Sequence, residues 1–216
     1  MKRIILPFTM LGMLFFSCES DTTEESKEEK DTSKKIENCL YSYNPANTKL
    51  DWTAYKFLNK TGVGGTFKEI KVDAPENTGD AKSMIEALSF SIPISSIETK
   101  DQGRNRKIQE FFFGGLASTE MLTGKVVSLG DDNQAVLEIT MNEITQEVSG
   151  DYTLEGTTFT WNTEIDVNEW NAEAGLTALN EECKDLHTDH ENGDTESKLW
   201  PDVTISFTTT LMERCD

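Results

Sequence analysis

Val203-Thr204-Ile205-Ser206-Phe207-Thr208-Thr209-Thr210-Leu211 is the stretch whose reading decides the fold. Val203, Ile205, Phe207, Thr209 and Leu211 share one face, and Thr204, Ser206, Thr208 and Thr210 share the other. That period of two belongs to a strand with one face buried. The pattern recurs on the way back toward the N-terminus. Thr158 to Val167 places Phe159, Trp161, Thr163, Ile165 and Val167 on one face, and a tight turn at Glu155-Gly156 joins it to a strand through Ile144 to Leu154. Ala135 to Asn142, with Ala135, Leu137, Ile139 and Met141 on one face, and Thr119 to Leu129 flank the turn sequence Gly130-Asp131-Asp132-Asn133. Leu88, Phe90, Ile92 and Ile94 alternate with Ser89, Ser91, Pro93 and Ser95, and Pro93 marks the end of that strand's pairing. Thr66 to Val72 is a strand preceded by Gly62-Val63-Gly64-Gly65, and Leu50 to Phe57 is the first strand. The count is eight. Helical composition is confined to Ala81–Ala87, to Gln102–Phe113 ending at Gly114-Gly115, and to Asn168–Leu186, capped at Asn168 or Asn171 and broken at Gly175. Eight antiparallel strands with short hairpins and lid-like helices predict a closed barrel or a sandwich, and closure removes the exposed edges.

The bulk numbers agree with one such domain. The chain has 216 residues, and about 170 remain once a leader and a polar tail are set aside, the size of one domain. Formal net charge is −19, and it becomes −21 when Lys2 and Arg3 leave with the leader. That balance excludes nucleic acid as a partner and excludes electrostatic adhesion to anionic lipid. Beyond the leader no apolar stretch reaches the length of a membrane span.

The N-terminus sets the expected compartment. Lys2 and Arg3 precede an apolar run from Ile4 to Phe16 that is too short for a permanent membrane helix, so residues 1–17 read as a cleaved signal peptide. Ser17-Cys18 closes it in a way that resembles a bacterial lipobox, with Phe15 where that pattern usually has leucine. The resemblance implies a diacylglycerol thioether on Cys18 and an acylated new N-terminus, a palmitate-type anchor. The membrane is then touched through this lipid alone. Residues 18–38 are the lipidated cysteine and an acidic linker with one aliphatic residue and no aromatics, which cannot bury enough surface to fold. The expected location is the outer membrane of a bacterium, on its periplasmic or its surface face. Residues 39–216 are the barrel domain.

Several segments together resemble one family. Val63-Gly64-Gly65-Thr66-Phe67 after an aromatic first strand, Ser96-Ile97-Glu98-Thr99 leading to Phe111-Phe112-Phe113, and Gly150-Asp151-Tyr152-Thr153-Leu154-Glu155-Gly156-Thr157-Thr158 are similar to motifs of YceI-like proteins, the lipocalin-like polyisoprenoid-binding family, and occur in its order. The resemblance spans Tyr43 to Arg214 and implies a mainly β fold: an eight-stranded antiparallel lipocalin-like barrel capped by one or two short helices. The chain departs from the family where a histidine often stands late in the first strand; Lys56 and Phe57 lie there instead. The segment from Leu179 to Val203 is longer than the usual connection and reads as a cap over one barrel end, the mark of a lipoprotein subgroup.

The resemblance further implies an elongated apolar cavity for an isoprenoid or other long-chain lipid and no other cofactor. Inward candidates are Trp52, Phe67, Phe90, Ile92, Phe111, Phe112, Leu137, Phe159, Trp161 and Phe207. Alternation does not separate a cavity wall from a filled core. A tail in such a pocket gains about 0.8 kcal/mol per buried CH₂ and needs no catalytic group. The reading is therefore a non-catalytic, membrane-anchored lipid binder, and its rival is a packed interaction module of the envelope. No catalytic serine or cysteine motif occurs. Cys183, His187 and His190, near Asp185 and Asp189, offer a zinc alternative, but acidic, glycine-containing surroundings read as a solvated loop. Cysteine use fits export. In a closed barrel the first and last strands are neighbours, which predicts a Cys39–Cys215 disulfide and leaves Cys183 free or competing for either partner.

Overall fold

The computed structural model describes residues 38–117 and 120–216; the signal, Cys18, almost all of the linker and Thr119 lie outside the described residues. Twelve strands are present among them: β1 (Cys39–Ser42), β2 (Thr48–Lys56), β3 (Thr61–Phe67), β4 (Lys71–Asp73), β5 (Ser89–Pro93), β6 (Ile97–Glu98), β7 (Met121–Leu129), β8 (Gln134–Met141), β9 (Ile144–Glu155), β10 (Thr158–Asp166), β11 (Leu199–Thr210) and β12 (Met212–Cys215). Three α-helices accompany them, α1 (Ala81–Glu86), α2 (Gln102–Lys107) and α3 (Glu173–Glu182). None is long and apolar enough to cross a membrane.

Every pairing is antiparallel, and the sheet returns on itself. β7 to β11 pair in sequence order, β11 pairs with β2, and β2 with β3. β4 prolongs β3 and β6 prolongs β5. Thr66 and Phe67 pair with Glu98 and Ile97, and Lys71 to Asp73 pair with Ser91 to Ser89. Because β5 also pairs with β7, the bent runs 61–73 and 89–98 act as single strands and complete an eight-membered ring. Closure leaves no edge in that ring.

The strand boundaries follow from the residues. β3 begins at Thr61, not at Thr66, so the Gly62–Gly65 run is strand. β5 stops at Pro93, and a 3-10 turn over Ile94–Ser96 carries the chain into β6. In β7 a bulge between Val126 and Ser128 turns Val127 outward and restores Leu129 to the core. β11 starts at Leu199, four residues earlier than its alternation suggests, because a second irregularity accommodates Trp200-Pro201-Asp202. The turn between β9 and β10 lies on Gly156-Thr157, with Gly156 at φ +60°, a left-handed conformation that glycine adopts without penalty.

One barrel end carries α1 and the first and last described strands, β1 and β12. Met84 and Ile85 of α1 are fully buried, and Asp80 caps the helix by accepting from the Ser83 N–H. β1 and β12 form a separate ribbon here, Tyr41 bridges to Thr78, and Cys39 is bonded to Cys215. Cys183 is a buried free thiol.

The opposite end is covered by two connections that pack on each other. α2 widens into a π-helical turn over Ile108–Phe112 and then tightens at Phe113–Gly115. α3 differs from its sequence reading at both points. A 3-10 turn over Val167–Trp170 ends at left-handed Asn171, α3 follows from Ala172 without a side-chain cap, and Gly175 lies inside the helix instead of breaking it. A side chain at Gly175 would collide with the Phe112 carbonyl oxygen, and a Cβ at Gly115 would lie 2.9 Å from the Gly175 Cα. The two glycines let the lid segments touch backbone to backbone.

Candidate functional site

Inside the ring lies a cavity of about 220 Å³ whose wall is entirely apolar. Alternation puts Leu50, Trp52 and Ala54 of β2, Leu137 and Ile139 of β8, Phe159 and Trp161 of β10, and Ile205 and Phe207 of β11 on that wall. Phe67, Phe90 and Ile92 complete it from β3 and β5, and Ile108, Phe112, Phe113, Leu176 and Leu179 close it at the lid end.

Of the residues expected to face inward, Trp52, Phe67, Phe90, Ile92, Phe112, Leu137, Phe159, Trp161 and Phe207 line this cavity. Phe111 does not: it is half-buried and off the wall, and Phe113 takes the place expected for it. The π-helical turn is the reason. Its wider pitch sets residues four and five positions on, Phe112 and Phe113, over Ile108 and turns Phe111 aside.

Three large rings share an arrangement that keeps the interior open. Trp52 lies against Gly65 directly across the β2–β3 ladder, and Phe90 lies against Gly124 across β5–β7. Trp161 lies over Gly150 on β9; an added Cβ there would be 2.6 Å from its Nε1 and 2.8 Å from Cε2. With no side chain on the neighbouring strand, each ring folds down onto the wall. The cost is visible at the indole nitrogens: Nε1 of Trp52 and of Trp161 is buried without a hydrogen-bond partner, worth about 1–3 kcal/mol each. Gly65, Gly124 and Gly150 thus shape the cavity wall; in the sequence Gly65 and Gly150 stand out only as motif residues, and Gly124 does not stand out. The available signal was a glycine in a strand interior opposite or diagonal to an inward aromatic.

Tyr152, Phe159 and Phe207 form a chain of rings with centroids 5.8 and 6.3 Å apart. Leu50, Val72, Leu88 and Val126 carry the cavity wall toward α1, and Leu199 and Trp200 carry it to the lid end.

The lid carries the histidine segment. His187 is buried, 9% exposed, which corrects the solvated-loop reading for that residue, while His190 to Gly193 form an exposed turn in line with it. His187 Nδ1 faces Asn180 Oδ1 at 3.0 Å, and Asn180 Nδ2 donates to Ser197 Oγ at 3.0 Å. Burial, helped by the positive charges of Lys56 and Lys107, pushes the His187 pKa down to about 4, so the ring is neutral near pH 7. Burial also raises the Cys183 thiol. Among the described residues, the group of cysteine, histidine and acidic atoms close enough to hold a metal is Cys39, Glu213 and Cys215, and two of its three members are the disulfide. Cys183, His187 and His190 do not converge.

Comparison with known proteins bears on this architecture. The YceI-like domain family matches residues 41–211. The fold is similar to that of a polyisoprenoid-binding domain from Saccharophagus degradans implicated in plant cell wall breakdown, at 13% identity and a TM-score of 0.54, covering 83% of this chain and 99% of that one. It is also similar to BcnA of Burkholderia cenocepacia, at 16% identity and a TM-score of 0.51, covering 80% and 99%. No curated protein sequence matches the chain.

Proposed function

Because the chain belongs to the YceI-like domain family, we propose that it is a non-catalytic binder or carrier of an apolar, isoprenoid-type lipid held inside the barrel. The observation that carries this reading is the flattening of Trp52, Phe90 and Trp161 onto Gly65, Gly124 and Gly150 around an all-apolar cavity. A barrel built only as an interaction scaffold gains nothing from rings that leave central space, since close packing gives more dispersion and burial. The polyisoprenoid-binding description of a structural relative agrees with it. A slender chain in the space removes apolar wall from water at about 25 cal/mol per Å².

The second part of the proposal is the anchor. Lipidated Cys18 and the acidic linker hold a highly negative domain beside the envelope membrane, where such lipids reside. The barrel enters the chain path at Cys39, at the α1 end, and the lid lies at the other end. Replacing Cys18 by Ser is expected to move the protein from the membrane to the soluble fraction; retention in the membrane contradicts the anchor.

Binding is tested by titrating lipid-free protein with farnesol and following tryptophan emission, because Trp52, Trp161 and Trp200 all line the cavity. Saturable emission change is expected. A flat titration contradicts the binding reading.

A further inference from the structure

Lys56 stands at a position where an apolar barrel has no need of a charge. Leu50, Trp52 and Ala54 line the cavity from β2, and two residues further on, the same inward-facing series places Lys56 beneath the lid, paired in register with Leu199 of the wall. Its Nζ donates to the Leu186 carbonyl of the lid at 2.7 Å. It also sits 4.1 Å over the Phe57 ring. Among the described residues it has no carboxylate within salt-bridge distance, whereas Lys60 and Lys107 each have one, Asp202 at 2.7 Å and Glu182 at 3.1 Å. An ammonium group has three donors, and the Leu186 carbonyl takes one.

The surroundings add positive charge. Burial first, and then the nearby Arg104 of α2, lower the Lys56 pKa, while Asp189 and Cys183 act in the other direction. Lys107, at the end of α2, is close enough to act with Lys56 on His187. Lys56 is not itself a wall residue, but its strand partner Leu199 and the adjacent Trp200 are, which puts Lys56 at the lid-end rim of the apolar cavity in a chain of net charge −19. A half-buried cation with spare donors is stabilised by an anion that reaches it from the protein interior.

We propose that Lys56 holds the anionic head group, carboxylate or phosphate, of a lipid whose tail fills the cavity. This rests on the cavity being the lipid site. The ligand class it selects is an acidic amphiphile, oriented with its tail toward the Tyr152–Phe159–Phe207 rings and its head under the lid.

The test compares farnesol, farnesoic acid and farnesyl phosphate, which share one tail, on lipid-free wild-type protein and on the Lys56→Met and Lys56→Arg variants, with circular dichroism to verify folding. Wild-type protein is expected to bind at least one of the two anions about tenfold more tightly than the alcohol, the scale of a charge-assisted hydrogen bond. Which anion binds more tightly identifies the head-group chemistry. Lys56→Met brings the ratio of affinities near one, and Lys56→Arg preserves it. Equal affinity for alcohol and both anions in the wild type overturns the head-group assignment while leaving the cavity reading intact. A preference that survives Lys56→Met does the same. If none of the three ligands binds, the cavity reading itself fails and the assignment falls with it.

Discussion

At Gly65 an added methyl group would meet atoms of the Trp52 ring, whereas at Gly124 and Gly150 it would also meet a strand carbonyl oxygen. Gly65 is therefore the position where the wall can be altered without pushing a neighbouring strand away. Gly65→Ala is expected to tilt the Trp52 ring into the lumen, weaken farnesol binding and cost about 1–3 kcal/mol through overpacking; thermal melts and the fluorescence titration read the two effects. Unchanged affinity in a folded variant would show that the flat ring does not set the lumen. His187 makes a prediction about pH. Its folded pKa of about 4 lies below the ordinary value of 6.5, so between those values the unfolded chain binds a proton that the folded chain does not. Stability from this residue is complete above about pH 6.5, declines as pH falls toward 4, and levels off below that, with a ceiling of about 3 kcal/mol. Urea melts of wild type and His187→Gln across this range check it: the variant is expected to lose that part of the slope.

Among the elements, the β1–β12 ribbon is the one whose removal should leave the site untouched. Its disulfide links residues 176 apart, and in the chain-entropy model closing a loop of that length contributes about 5 kcal/mol through the unfolded state. The ribbon lies outside the eight-membered ring. The double variant Cys39→Ala, Cys215→Ala is expected to melt at a lower temperature yet bind farnesol with unaltered affinity; loss of binding in the folded variant would mean that the ribbon shapes the cavity. The elements differ in how far the sequence discloses them. β8, β10 and the body of β11 are plain in it, since one buried face imposes alternation. The Gly62–Gly65 stretch hides the start of β3, because a period-two signal needs side chains to carry it. Phe111-Phe112-Phe113 presents an aromatic on every face, so only the π-helical turn decides which of them reach the lumen. The burial of His187 depends on its packing against Asn180 of α3 and on Lys198 N–H and Lys56 Nζ reaching the carbonyls of His187 and Leu186, and nothing in its acidic neighbours signals it.

For the whole molecule, ring closure is the property from which the rest follows. An open sheet of these strands would expose the inner faces of Trp52, Phe90, Phe159, Trp161 and Phe207; closing it through the bent runs 61–73 and 89–98 turns those faces into one enclosed surface. The β1–β12 ribbon and its disulfide fasten one end, while Gly115 and Gly175 let the lid segments meet at the other. The net charge of −19 discourages broad electrostatic contact with anionic membranes, so the proposed exchange of lipid depends on tethering and on the lumen. The measurement that tests this account most directly is native mass spectrometry, with lipid extraction, of the protein purified from its own envelope. The account predicts a stoichiometric adduct that releases a long-chain, isoprenoid-type lipid on unfolding. A domain that carries no such adduct and acquires none when incubated with an extract of that envelope would contradict it.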